Sequence, residues 1–199
     1  MHNNTFKSIL LTVVICFCFF TTSFAQPQEV RWLQQINPNQ PTSDYWKITS
    51  NSAYPLAIGV PTTLLLTGYL KKDKQLQQQG LKIIGSLVVN TAITQATKRL
   101  INRKRPYETY PNLIFTNDAL EVGHSFPSGH TSTAFNLAAS ISIQNKKWYI
   151  VLPAYAYASS VGYSRMYLGK HYPSDVFAGA AVGIGSAYLS NWLQKKLLK

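Results

Sequence analysis

Residues 163–175, YSRMYLGKHYPSD, bring Arg165, His171 and Asp175 together, with the carboxylate four positions after the imidazole. Pro173 and Ser174 read as the opening of a helix, since Pro is well suited to a first turn. His171 would then sit at the helix mouth and Asp175 in the first turn. From there the carboxylate can fold back onto one ring nitrogen, fixing the tautomer and leaving the other nitrogen free to attack an electrophile. An ordinary helix cap with an incidental His has the same local pattern, so the chemistry depends on partners elsewhere.

Two upstream clusters supply them. In KRLINRKRP, Lys98 and Arg105 are seven residues apart, about two helical turns. Pro106 pushes Arg105 toward an extended backbone, which places it just past a helix end with its guanidinium turned back toward the ammonium. Paired cations suit a polyanion; the bland alternative is a solvated basic helix end. In HSFPSGHTS, Pro127-Ser128-Gly129-His130 reads as a helix start at which Gly129 admits an anion to free backbone N–H groups. Ser128 adds a hydroxyl and His130 an imidazole, against the alternative of an N-cap Ser and a surface His. His124 is assigned no role. Arg165 contributes a third cation able to hold two phosphate oxygens. Together these groups meet the needs of phosphoryl transfer: cations and a helix N-terminus for the equatorial oxygens, one imidazole as nucleophile, a second as proton donor to the leaving group. A metal fits less well, because the neighbouring cations would repel a dication and the carboxylates are too few for a two-metal site.

Lys98-x6-Arg105-Pro106, Pro127-Ser128-Gly129-His130 and Ser164-Arg165-x5-His171-x3-Asp175 match in order and spacing the three-part signature of the type 2 phosphatidic acid phosphatase superfamily, which the chain therefore resembles. This group includes lipid phosphate phosphatases, class A acid phosphatases and vanadium haloperoxidases. The resemblance implies an all-α helical bundle with the active site at one end. It further implies a phosphohistidine on His171, oriented by Asp175, with His130 as general acid. Lys98, Arg105, Ser128, Gly129 and Arg165 would bind phosphate, and neither a metal nor a cofactor is expected. Lys170 falls at a variable position and receives no role.

The elements that must carry these groups can be read from charge and hydropathy. Residues 1–25 hold one Lys, an apolar run and the small residues Ser23 and Ala25, the pattern of a signal peptide cleaved after Ala25, or of an uncleaved anchor. Both cysteines, Cys16 and Cys18, lie inside it, so no disulfide framework is expected. Residues 26–52 read as a polar extracytoplasmic surface segment with one short helix. Residues 53–199 form the helical phosphatase domain. Uncharged stretches at 53–70, 83–97, 128–144, 148–164 and 176–194 predict about five membrane-spanning helices. Gly179 and Gly183 in the last suit close helix packing.

The lysines orient the bundle. Lys71, Lys72 and Lys74, then Lys146 and Lys147, then Lys195 and Lys196 flank alternate ends of these stretches, the positive-inside pattern. Residues 98–127 and 164–175 then face the periplasm. The chain has 19 Lys and Arg against 7 Asp and Glu, a net charge of +12, which suits an anionic partner; export from the cytosol argues against nucleic acid. A mean hydropathy of −0.06 is low for five spans, which keeps a soluble helical bundle as an alternative.

The expected function is hydrolysis of a lipid phosphate or diphosphate, such as phosphatidate, undecaprenyl diphosphate, phosphatidylglycerophosphate or lipid A, at the bacterial inner membrane. The alternatives are a soluble periplasmic acid phosphatase of broad specificity, a vanadate-dependent haloperoxidase, disfavoured by the short chain and the predicted spans, and a non-enzymatic membrane protein that binds anionic head groups. Oligomeric state is not readable from the residues.

Overall fold

The computed structural model describes residues 26–117, 121 and 123–197, so the expected signal at 1–25 lies outside the described residues. Among these residues all regular structure is helical: α1 (Gln26–Ile36), α2 (Asp44–Asn51), α3 (Ala53–Leu70), α4 (Lys74–Ile101), α5 (Pro106–Thr109), α6 (Gly129–Gln144), α7 (Trp148–Tyr167) and α8 (Pro173–Leu197). The five uncharged stretches fall on α3, α4, α6, α7 and α8. Local chemistry sets their ends. Asp73 caps α4, its Oδ1 accepting from the N–H groups of Gln75 at 2.8 Å and Leu76 at 3.1 Å, while Asn102, left-handed at φ 48°, closes it. Pro173 opens α8, as its position predicts.

Helix α6 is the centre of the bundle and packs against α3, α4, α7 and α8. Its interior face is polar. The Oγ of Ser132 donates to Asn90 Oδ1 at 2.5 Å and pairs with Thr94 Oγ1 at 3.0 Å. Asn136 Nδ2 donates to Ser86 Oγ at 2.8 Å and to the Gly183 carbonyl at 3.1 Å. Small hydroxyl and amide side chains let helices approach closely and bond across the seam.

A small apolar core of Ala53, Ala134, Ala138, Ala158 and Val161 lies beside it, and many of the larger apolar side chains face outward. Ile58, Leu66, Tyr69 and Leu70 on α3, Leu81 and Val88 on α4, Leu152 on α7 and Phe177 and Tyr188 on α8 are all exposed. Such a belt is what a hydrocarbon solvent selects, and on a soluble surface it would be an aggregation hazard. By length and composition, Ala53–Leu70 and Pro173–Lys196 can each cross a membrane, with only 22% and 39% of those segments buried inside the protein. The low mean hydropathy thus reflects, in part, the polar side chains buried between the helices.

Close approach of α6 and α8 depends on Gly183. A Cβ there would collide with the Ser132 carbonyl oxygen and lie 2.9 Å from the Asn136 amide nitrogen. These are backbone atoms and cannot swing away. Gly183→Val is therefore expected to destabilise the bundle by about 1–3 kcal/mol, the usual range for overpacking, read as a lowered unfolding temperature in detergent. Gly185→Ala, where a Cβ meets open space, is the control and should leave that temperature unchanged.

Residues 26–52 depart from the expectation of a surface segment with one short helix. They form two helices, and Glu29, Val30, Leu33, Asn37 and Ser50 are buried. Asn37 ties this segment to the bundle: its Nδ2 donates to the carbonyls of Phe115 at 2.9 Å and Tyr167 at 2.7 Å, and its Oδ1 accepts from Phe115 N–H at 2.8 Å. Val30 and Leu33 add an apolar contact, packed with Ile114 and Tyr172.

Candidate active site

The bundle places one set of helix ends together. The end of α4 brings Lys98, the end of α7 Arg165, the start of α6 His130 and the start of α8 Asp175; Tyr54 at the start of α3 packs on His130 with ring centroids 4.5 Å apart. The lysine-bearing turns after α3 and α6, and the end of α8, lie at the opposite ends of the same helices.

Lys98 Nζ donates to the carbonyls of His124 at 2.5 Å and Ser125 at 3.4 Å, which holds the segment before α6 over the end of α4. Beyond Asn102 the chain is extended at Arg105, with φ −75° and ψ 157°, as expected for a residue before Pro. The buried Arg105 guanidinium is aimed by the carbonyls of Gly123 at 3.2 Å and Lys170 at 3.1 Å. Arg165 is 2% exposed. Its Nη1 donates to Ser50 Oγ at 2.6 Å, and its Nε is buried with no hydrogen-bond partner among the described residues. A buried N–H left unpaired costs free energy until an acceptor arrives.

Between the two guanidiniums sits Glu121. Its Oε1 is 2.5 Å from Arg165 Nη2 and its Oε2 is 3.0 Å from Arg105 Nη1. Burial alone would raise this carboxyl, but the Arg165 guanidinium, with help from Arg105 and His130, outweighs it and holds the group down at about 2. The clamp is at full strength above the ordinary carboxylate range and is lost only as the pH falls toward that value. A carboxylate therefore occupies the anion seat between the two guanidiniums.

His171, 1% exposed, faces this seat with one nitrogen. Nε2 lies 3.4 Å from Arg105 Nη1, while Nδ1 points toward Ser125 Oγ at 3.3 Å and Asp175 Oδ2 at 3.5 Å. The direct imidazole–carboxylate bond expected from spacing is therefore replaced by a looser contact with a hydroxyl beside it. Ser125 Oγ donates to Asp175 Oδ2 at 2.5 Å, and Tyr172 N–H donates to the same oxygen at 2.9 Å. Burial first, then the charges of Arg165, Arg105 and Lys98, hold the imidazole well below its ordinary range. It keeps a free lone pair at neutral pH.

Ser128 and Gly129 lie at the start of α6. Ser128 Oγ pairs with Thr131 Oγ1 at 2.9 Å rather than capping the helix, and its N–H donates to the Asp175 carbonyl at 3.0 Å, locking α6 to α8. A Cβ at Gly129 would meet the Tyr54 hydroxyl at 3.0 Å, so the absent side chain keeps that ring over His130. Since α6 begins here, the N–H groups of its first turn have no helical acceptor.

The structure thus gathers the predicted set Lys98, Arg105, Ser128, Gly129, His130, Arg165, His171 and Asp175 at one end of the bundle. It also adds Glu29, Ser50, Arg103, Glu121 and Ser125, which spacing alone did not single out. One signal was available: the chain has 7 acidic residues, and three of them, Glu29, Glu121 and Asp175, pair with arginines here.

Comparison with known proteins bears on the fold and the family. Residues 79–199 match the model of the PAP2 superfamily. An undecaprenyl-diphosphatase from Sulfolobus acidocaldarius is 28% identical over 67% of this chain and 62% of its own length. A lipid A 1-phosphatase from Porphyromonas gingivalis is 33% identical over 60% of this chain but only 23% of its own length. The crystal structure of a transmembrane PAP2-type phosphatidylglycerolphosphate phosphatase from Bacillus subtilis has the same fold, with a TM-score of 0.69 over 96% of each chain at 20% identity.

Proposed function

Because the chain belongs to the PAP2 superfamily, we propose that it hydrolyses a phosphomonoester or diphosphate carried on a lipid, without a metal ion, through a phosphohistidine on His171. The observation that carries this reading is the seat formed by Arg105 and Arg165 in front of the neutral, buried Nε2 of His171. That seat lies at one end of a bundle whose outer face is apolar.

In the first step the Nε2 lone pair attacks phosphorus and the bond to the leaving oxygen breaks. His130, protonated once the charge of the bound phosphate lies beside it, gives that oxygen its proton. In the second step His130, now neutral, takes a proton from water as the water oxygen attacks the phosphohistidine. Inorganic phosphate leaves and both imidazoles return to their starting states. Lys98, Arg105, Arg165 and the first turn of α6 stabilise the charge on the equatorial oxygens.

The lysine-bearing ends lie opposite the site, which supports a site facing the periplasm at the bacterial inner membrane. The names of the relatives, an undecaprenyl-diphosphatase and a lipid A 1-phosphatase, support a lipid rather than a water-soluble substrate. Phosphate release with chelator present tests the reading across phosphatidate, undecaprenyl diphosphate, phosphatidylglycerophosphate, lipid A and water-soluble esters. Release from one or more lipids is expected. Head-group binding without turnover would overturn it in favour of a non-enzymatic binder.

Glu121 must yield its place to the incoming phosphate. A dianion competes better than a single carboxylate, and in the neutral range pH does nothing to loosen the clamp. Glu121→Gln is expected to tighten competitive inhibition by orthovanadate roughly tenfold, or about 1.4 kcal/mol. An unchanged inhibition constant would place the anion seat elsewhere.

A further inference from the structure

Asp175 is held on both sides, and only one side faces the nucleophile. Its Oδ2 takes Ser125 Oγ and Tyr172 N–H and faces His171 Nδ1. Its Oδ1 takes Arg103 Nη1 at 2.8 Å. The same Nη1 also donates to Ser174 Oγ at 2.7 Å, while Nη2 pairs with Glu29 Oε2 at 2.8 Å. The other carboxylate oxygen of Glu29 accepts from Ser174 N–H at 2.6 Å, at the start of α8. The guanidinium carbon lies 3.8 Å above the Tyr172 ring. Arg103 is thus fixed from four directions by α1, the residue before α8 and the first turn of α8 itself.

We propose that Arg103 and Glu29 are positioning residues for the nucleophile, acting through Asp175, so that helix α1 forms part of the catalytic apparatus. The proposal rests on the reading of His171 as the nucleophile.

The physical case has two parts. A carboxylate with one oxygen free can rotate, presenting either oxygen or neither to the imidazole; a guanidinium locked on Oδ1 removes that freedom. Arg103 also partly neutralises Asp175. Without it, Asp175 would attract a proton onto His171 more strongly and compete with the phosphorus for its lone pair. Glu29 in turn holds the second terminal nitrogen of Arg103, so that the guanidinium keeps one orientation toward Asp175. Burial works against the Arg103 charge, and the carboxylates of Asp175 and Glu29 outweigh it. The charged groups that act on the imidazole are Arg165 from α7, Arg105 and Glu121 from the connection, Lys98 from α4 and Asp175 from α8, with Lys170 next to it in the chain. Arg103 opposes the carboxylate from behind.

The test uses the full chain in detergent, with dioctanoyl phosphatidate as probe. It compares wild type, Arg103→Gln, Glu29→Gln, their double variant and His171→Ala. Arg103→Gln is expected to lower kcat roughly 10- to 100-fold, with KM within about twofold of wild type. The acid limb of kcat/KM should move to higher pH, because the imidazole then protonates more easily. Glu29→Gln should lower kcat in the same way but less, and the double variant should be little worse than Arg103→Gln, since the two act as one unit. Wild-type kcat and an unmoved acid limb in a folded Arg103→Gln would overturn the proposal. So would a fall in kcat that leaves the acid limb in place, the mark of a merely structural role. If Arg103→Gln does not fold, Glu29→Gln, which removes a charge and no volume, decides by the same two readouts. Turnover retained in His171→Ala would instead sink the reading of the nucleophile.

Discussion

Replacing His171 by Ala is expected to lower kcat by roughly 10⁴- to 10⁶-fold, the range seen when a nucleophile is removed from a unit that acts together. The anion seat survives this change, because Arg105 and Arg165 are held by the carbonyls of Gly123 and Lys170 and by Ser50, none of which depends on the imidazole. Binding of inorganic phosphate, read by calorimetry, should therefore persist while turnover disappears. This separation distinguishes loss of a nucleophile from collapse of the site. A variant that turns over within about tenfold of wild type would remove His171 from the mechanism.

The second large effect belongs to Arg165. It is buried at the end of α7, with Ser50 on one nitrogen, Glu121 on another and, among the described residues, no partner on Nε. Arg165→Lys keeps a positive charge but loses the planar fork, and Ser50 and a phosphate oxygen cannot both be met from one ammonium with the same geometry. Loss of one preorganised donor to a developing oxyanion costs about 10²–10³-fold in kcat, and that fall is expected for Arg165→Lys. Kinetics of phosphatidate turnover, with the unfolding temperature alongside, measure it. If Lys serves as well as Arg, the site needs only charge at this position.

Much of the bundle was legible because the helices lack charge for long stretches, with lysines or Pro173 at several of their ends. Side-chain direction was not. A low mean hydropathy looked like an argument against membrane helices, yet Ser86, Asn90, Thr94, Ser132 and Asn136 pair with one another inside while Ile58, Leu66 and Phe177 face outward. Composition records both sets of residues and says nothing of which way they point.

The candidate site was legible in proportion to how local its pattern is. Lys98 and Arg105, Ser128 to His130, and Arg165 to Asp175 lie in short spaced clusters, so their residue types could be weighed together. Glu29 lies 145 positions from Ser174 and Ser50 lies 115 from Arg165, and a single polar residue in a polar segment has no periodicity to mark it. Ser125 stood inside a quoted cluster, but only the fold shows its hydroxyl beside both His171 and Asp175. Glu121 becomes informative once the scarcity of acids is set against the cations that surround it.

The central claim is a covalent bond between phosphorus and the Nε2 of His171. Rapid quenching in alkali of enzyme mixed with ³²P-labelled phosphatidate tests it directly, since phosphorus on an imidazole survives base and is released by acid. Protein-bound label with that stability is expected, on a peptide containing His171 and absent from His171→Ala. Label on a serine, or full turnover with no trapped phosphoenzyme and water attacking phosphorus directly, would contradict it.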